Sequence, residues 1–222
     1  VLHLPKRRNV MAKKKKMVTE IIIVLDRSGS MGSIRLDTIE GFNKFIEDQR
    51  KLGLDGKMTL VQFDNHYQID YSGVSIDKAE FLSEKTYEPR GMTALFDAIG
   101  KTISETKSRL EKNPVDNVVF VIITDGHENA SKEFTQESAF KMITDCKADN
   151  NWEFVFLGAN QDAIQTGGMV GVRTGSSATF ATSNINVAYS TLSDNIGTYR
   201  GTGVSGSLDW SMAQRKSLVD TD

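Results

Sequence analysis

The sequence predicts an α/β fold, a doubly wound and mostly parallel sheet with one antiparallel edge strand and helices on both faces. Three observations predict it. The β-branched runs Ile21-Ile22-Ile23-Val24-Leu25 and Asn117 to Ile123 are short and nearly continuous in apolar residues, as in strands buried on both faces. The segments between strands carry apolar residues at helical spacing. The strand runs end in Asp, Ser, Thr and Gly, the chemistry of loops at the carboxyl edge of such a sheet, where open α/β folds bind ligands.

The elements follow in order. After the strand at 21–25, Ile39, Phe42 and Ile46 place a helix over about 33–51, broken by Gly53 and Gly56. Met58 to Phe63 and Tyr67 to Tyr71 read as strands joined by the tight turn Asp64-Asn65-His66, a hairpin at the sheet edge. Residues 77–85 suggest a short helix. Leu95, Ile99, Ile103 and Leu110 form the stripe of a further helix that Asn113-Pro114 stops. After the strand at 117–123 come a helix over 135–149, a strand from Trp152 to Leu157, a helix over 161–168, and a final stripe of Ile185, Ala188, Leu192 and Ile196. This alternation places one domain at 18–200, between a basic flexible segment at 1–17 and a Gly/Ser-rich tail at 201–222, where Trp210 is the exception.

The formal charge is −2, yet residues 1–16 carry seven positive charges and no acid, leaving about −9 on the rest. An acidic body argues against a nucleic-acid-binding domain, and the basic segment reads as a solvated tail rather than as a contact for nucleic acid, a membrane or an acidic partner. Met11 is an alternative start. The single cysteine, Cys146, permits no intramolecular disulfide and reads as a packing residue. No apolar stretch reaches the ~20 residues of a membrane span or suits a signal peptide. A cytoplasmic chain is the expectation, with virion association as the alternative.

Three loops carry the chemistry. Asp26-Arg27-Ser28-Gly29-Ser30 offers one carboxylate and two hydroxyls at alternate positions; Gly91-Met92-Thr93 precedes a helix; Thr124-Asp125-Gly126 ends the strand at 117–123. Strands 21–25 and 117–123, as parallel neighbours, bring the first and third loops to one edge, and Thr93 at a helix start is within reach of it. Oxygen ligands without Cys or His suit a hard divalent cation such as Mg²⁺. Taken singly, Ser28 and Ser30 read equally well as helix caps and Asp125 as a turn residue. Asp97 reads as a helix N-terminal charge or as support for the site, Asp64 as a turn or rim residue, and Arg27 as solvent-facing or capping its loop and tolerant of substitution.

These pieces resemble the von Willebrand factor A domain with its metal-ion-dependent adhesion site: Asp26-Arg27-Ser28-Gly29-Ser30-Met31, Gly91 to Ile99, and Ile122-Ile123-Thr124-Asp125-Gly126. The resemblance covers about residues 18–200. It is nearest to stand-alone bacterial and phage members, which share stretches like Phe154 to Ala163. By resemblance, Ser28 and Ser30 bind the metal directly, Thr93 does so when a partner is engaged, and Asp26 and Asp125 act partly through water. The implied cation is Mg²⁺, with Mn²⁺ or Ca²⁺ possible. The implied partner is a protein presenting an Asp or Glu, bordered by a rim of Arg27, Met31, Met92, His127 and Glu128. The implied function is a non-enzymatic, cation-dependent protein-binding module. The alternatives are a structural subunit of a phage or bacterial assembly, and a metal-dependent hydrolase or phosphotransferase with His127 or Glu128 as base. Against catalysis, the chain has neither a Gly-x-Ser-x-Gly elbow nor a phosphate-binding Gly-x-x-x-x-Gly-Lys-[Ser/Thr] loop.

Overall fold

The computed structural model describes residues 17–149, 151–159 and 162–220, so the basic segment expected at 1–17 lies, but for Met17, outside the described residues. Among them six strands form one sheet: β1 (Thr19–Asp26), β2 (Gly56–Phe63), β3 (Tyr67–Ser75), β4 (Asn117–Thr124), β5 (Trp152–Ala159) and β6 (Ser177–Phe180). Their order is β3-β2-β1-β4-β5-β6. All neighbours are parallel except β2 and β3, the expected antiparallel edge pair. The helices are α1 (Arg35–Lys51), α2 (Leu95–Leu110), α3 (Gln136–Asp149), α4 (Ala163–Met169), α5 (Ile185–Thr202) and α6 (Met212–Val219).

The period of two along each strand sorts the core into two layers. Ile21, Ile23 and Leu25 join Val119, Val121 and Ile123 against α1 and α5, through Phe42, Phe45, Ile46, Leu192 and Ile196. Ile22 and Val24 join Phe120, Ile122 and Phe156 against α2 and α3, through Leu95, Ile99, Ile103, Ile143 and the fully buried Cys146. Every residue of β1 is therefore buried, which is why its sequence is continuous rather than alternating. Because β1 pairs with β2 on one side and β4 on the other, the chain reverses its winding between β1 and β4. Their carboxyl ends open the crevice at this switch point.

Three expectations change. Only a single 3₁₀ turn, Ile76–Lys78, stands where 77–85 suggested a helix. The backbone there is bonded by side chains of α1 instead of by its own turns: Asn43 brackets Leu82 N–H and C=O at 2.8 and 2.9 Å, and Arg50 and Arg35 donate to the carbonyls of Ile76 and Tyr87. β6 was not anticipated, because its four residues, Ser-Ala-Thr-Phe, make no apolar run.

The segment from 203, expected as a flexible tail, folds back on the domain. α5 ends at Gly203 in the left-handed conformation (φ 72°). α6 starts with a capping box of Ser211 and Gln214. Leu208, Trp210 and Leu218 are buried. Arg215 donates to the carbonyls of Thr174, Gly175, Ser177 and Trp210, so one guanidinium covers the outer edge of the sheet beside β6. Among the described residues no helix is long and apolar enough to cross a membrane.

Candidate metal centre

Asp26 ends β1 and Thr124 ends the adjoining β4, so the parallel register sets their side chains beside one another. The Thr124 hydroxyl donates to Asp26 Oδ2 at 2.6 Å, and the Ser28 backbone N–H donates to Asp26 Oδ1 at 2.6 Å. The Asp26 carbonyl in turn accepts from the buried Tyr87 hydroxyl at 2.7 Å. Ser28 then opens a 3₁₀ turn over Gly29–Ile34 from the N-cap position, yet its side chain makes no capping bond. Its Oγ lies instead 3.0 Å from Ser30 Oγ, and Ser30 donates to Asp125 Oδ1 at 2.6 Å. Thr93, 3% exposed, approaches from the second loop: a Cβ built on Gly126 would stand 2.7 Å from its Oγ1 and 3.5 Å from both Asp26 Oδ2 and Ser28 Oγ. All five predicted residues therefore converge around Gly126, where only a glycine leaves room.

The electrostatics of this cluster are unbalanced. Burial pushes the Asp26 carboxyl up to about 6, over the opposing hydrogen bonds from Thr124 and Ser28, and the nearby Asp125 adds to the rise. Burial also raises Asp125, against the Ser30 hydrogen bond. Among the described residues neither carboxylate has a Lys or Arg partner. Two carboxylates, three hydroxyls and no nitrogen or sulfur donor fit a hard divalent cation, whose charge offsets what burial costs the anions. Among the described residues no group of three His, Cys, Asp or Glu side chains is placed to hold a metal, so such a site depends on its hydroxyls.

The predicted rim divides. Met92 is 54% exposed and His127 is exposed beside the cluster. Met31 does not belong to the rim, because the 3₁₀ turn points it into the core, where it is fully buried. Arg27 does not face solvent either. It is 5% exposed, with Nε 3.1 Å from Asp64 Oδ2 and Nη1 2.7 Å from Gln68 Oε1. Asp64, fully buried, also receives Arg90 Nε at 3.1 Å, so the arginines of the first and second loops meet on one carboxylate. Backbone bonds from Arg90 to Arg27 and from Gly29 to Gly91 run alongside.

Glu128 is committed to structure. Its oxygens accept from the N–H groups of Phe96, Ala130 and Ser131 and from the Ser131 hydroxyl, which ties the third loop to the start of α2. Asp97 does the reverse, accepting from the N–H groups of Lys132, Glu133 and Phe134. Sequence reasoning missed Tyr87 and assigned no role of their own to Thr124, named only as part of the third loop, or to Asn129. Thr124 had a signal, since its position opposite Asp26 follows from pairing the two apolar runs.

The profile of the von Willebrand factor type A domain matches residues 20–194. No curated protein matches the chain. Among solved structures, the von Willebrand factor domain of the type V pili tip protein Mfa5 from Porphyromonas gingivalis superposes with TM-score 0.62 at 12% identity, covering 85% of this chain and 97% of that one. The proximal thread matrix protein PTMP1 from the mussel byssus gives 0.60 at 15% identity over 80% of this chain. This chain spans about half of PTMP1, 45% of its length. A PTMP1 structure with a zinc-occupied MIDAS motif gives 0.59 at 14% identity, covering 81% of this chain and 48% of that one. The pilus adhesin SpaC from Lactobacillus rhamnosus GG, in its open conformation, gives 0.64 at 12% identity, over 83% of this chain and 30% of that one. At such identities these likenesses show the fold.

Proposed function

The chain belongs to the von Willebrand factor type A domain family, and from that membership we propose that it is a non-enzymatic, divalent-cation-dependent protein-binding module. The observation that carries this reading is the convergence of Asp26, Ser28, Ser30, Thr93 and Asp125 around Gly126. In the proposal these residues hold Mg²⁺, or Mn²⁺ or Ca²⁺ in its place. The bound cation supplies a positive centre at the edge of the sheet, where an Asp or Glu of a partner protein docks. Hydroxyl donors suit this role, since they hold the ion while leaving charge for an outside carboxylate to neutralise. Asp26 is held by Thr124 and Ser28 and, with Asp125, would supply the negative charge facing the ion; Ser30 and Asp125 orient each other across two loops.

The similarity to a pilus-tip domain, a pilus adhesin and a matrix protein supports a role in protein contacts, as does the exposed Met92 beside the site. The geometry lends the enzymatic alternative less support, since neither candidate base is set up for proton transfer. Glu128 has both oxygens bonded to backbone and Ser131, and His127 stands exposed with no positioned partner among the described residues.

Two measurements test the proposal. Calorimetric titration with Mg²⁺ or Mn²⁺ is expected to show binding that Asp26→Ala and Ser28→Ala abolish while circular dichroism stays native. Unchanged affinity in both variants removes the assignment. Capture of a partner on the immobilised protein is expected to be released by EDTA; capture indifferent to the chelator removes the carboxylate mechanism.

A further inference from the structure

We propose that Asn129 is a positioning residue for the Thr93 hydroxyl, and that this exposed side chain sets how well the second loop completes the cation site. The inference rests on the metal reading above. It starts from the fact that α2 does not hold Thr93. Thr93 lies two residues ahead of the helix, and the N-cap residue Ala94 makes no side-chain capping bond. The N–H groups that a helix start leaves without intrahelical partners are met from other loops. Ala94 N–H donates to the Asp64 carbonyl at 3.0 Å, Phe96 N–H to Glu128, and Asp97 N–H to the Ser131 hydroxyl.

Within this set Asn129 makes a two-point clasp on Thr93 itself. Its Oδ1 accepts the Thr93 N–H at 2.9 Å, and its own N–H donates to the Thr93 carbonyl at 3.0 Å. Both bonds span from the third loop to the second, and Gly126, the glycine against which Thr93 Oγ1 packs, belongs to the same loop as Asn129. The clasp therefore fixes the peptide units on either side of the Thr93 Cα and, through them, the direction of its hydroxyl toward the Asp26–Ser28 oxygens. The side chain contributes the acceptor half alone, so it can be removed while the backbone half remains. Asn129 is exposed and fills no core space, so truncation leaves packing intact.

The test uses the full chain, wild type and with Asn129→Ala or Asn129→Asp. It reads Mn²⁺ affinity by calorimetry, the thermal midpoint, and hydrogen exchange of the Thr93 amide in metal-free protein. Asn129→Ala is expected to weaken Mn²⁺ binding by about fivefold, matching one lost hydrogen bond. The Thr93 amide should exchange faster by a similar factor, and the midpoint should fall by no more than ~4 °C. Asn129→Asp keeps the acceptor and is expected to restore both protection and affinity. Wild-type affinity in Asn129→Ala overturns the inference while leaving the metal reading standing. So does a failure of Asn129→Asp to restore Thr93 protection. Absence of Mn²⁺ binding by the wild type overturns the metal reading and the inference with it.

Discussion

Replacing Arg27 by alanine is the most informative test of how the metal edge is built, because sequence and structure predict opposite outcomes. A solvent-facing arginine in a loop would change stability by no more than ~0.5 kcal/mol. In the structure the side chain is 5% exposed and makes two bonds, at 3.1 Å to Asp64 and 2.7 Å to Gln68. Breaking a buried ion pair from one side costs about 3–5 kcal/mol, since it strands the other charge. Here Asp64 keeps Arg90 at 3.1 Å and the His66 backbone N–H at 2.5 Å, which moderates the loss. The estimate is therefore the lower end, about 3 kcal/mol. For a domain of this size that corresponds to roughly 6–12 °C in thermal midpoint. Urea unfolding followed by fluorescence of the buried Trp152 and Trp210 reads it directly. Arg27→Lys should fall between, because an ammonium cannot reach Asp64 and Gln68 with a planar fork. In a double-mutant cycle with Asp64→Asn the two losses should not add. An Arg27→Ala protein within ~0.5 kcal/mol of wild type would refute the buried-pair argument.

Other outcomes follow from the same geometry. Gly126→Ala places a methyl 2.7 Å from Thr93 Oγ1 and is expected to abolish Mn²⁺ binding in calorimetry while the domain stays folded. Asp97→Asn should cost about 2 kcal/mol at pH 7, by removing the charge that accepts three backbone N–H groups. Burial raises the Asp97 carboxyl, but those N–H groups outweigh it and hold it below the ordinary carboxylate value. Its contribution is thus present above the unfolded value of about 3.9 and is lost as pH falls through the lower folded value. Urea curves should therefore show the gap between wild type and variant closing below about pH 4. Arg215→Ala removes its bonds to the carbonyls of Ser177 in β6, of Thr174 and Gly175 just ahead of it and of Trp210, and is expected to loosen the segment after 203, read as faster proteolysis there with the Mn²⁺ site unaffected.

Most of the fold was legible because its signals are local. The run from Ile21 to Leu25 could only be a strand covered on both faces, and its end at Asp26 placed a carboxylate at the sheet edge. Asp125 at the end of the second apolar run followed by the same logic, and the register of β1 on β4 sets its loop beside Asp26, while Thr93 reaches them from the loop ahead of α2. What escaped was whatever lacks a period. β6 is too short to carry one, and α6 is a single eight-residue helix in a polar stretch whose stability comes from Arg215, Trp210 and Leu218 docking on β6. The irregular 79–94 segment misled for a related reason, since side chains of α1 satisfy its backbone.

By itself, the sequence determined the strand–helix alternation, the sheet class and the loops whose Asp, Ser and Thr residues gather at the carboxyl edge, because hydrophobic period and turn chemistry are written in neighbouring residues. Only the tertiary structure decided what those donors rest on. Arg27 turned from solvent to Asp64 across 37 residues of chain, Met31 turned from the rim into the core, Glu128 turned from a rim candidate into a clasp on α2, and Asn129 gained a clasp on Thr93. Each of those outcomes depends on which distant backbone group lies within hydrogen-bond reach once the sheet has formed, and no local pattern encodes that.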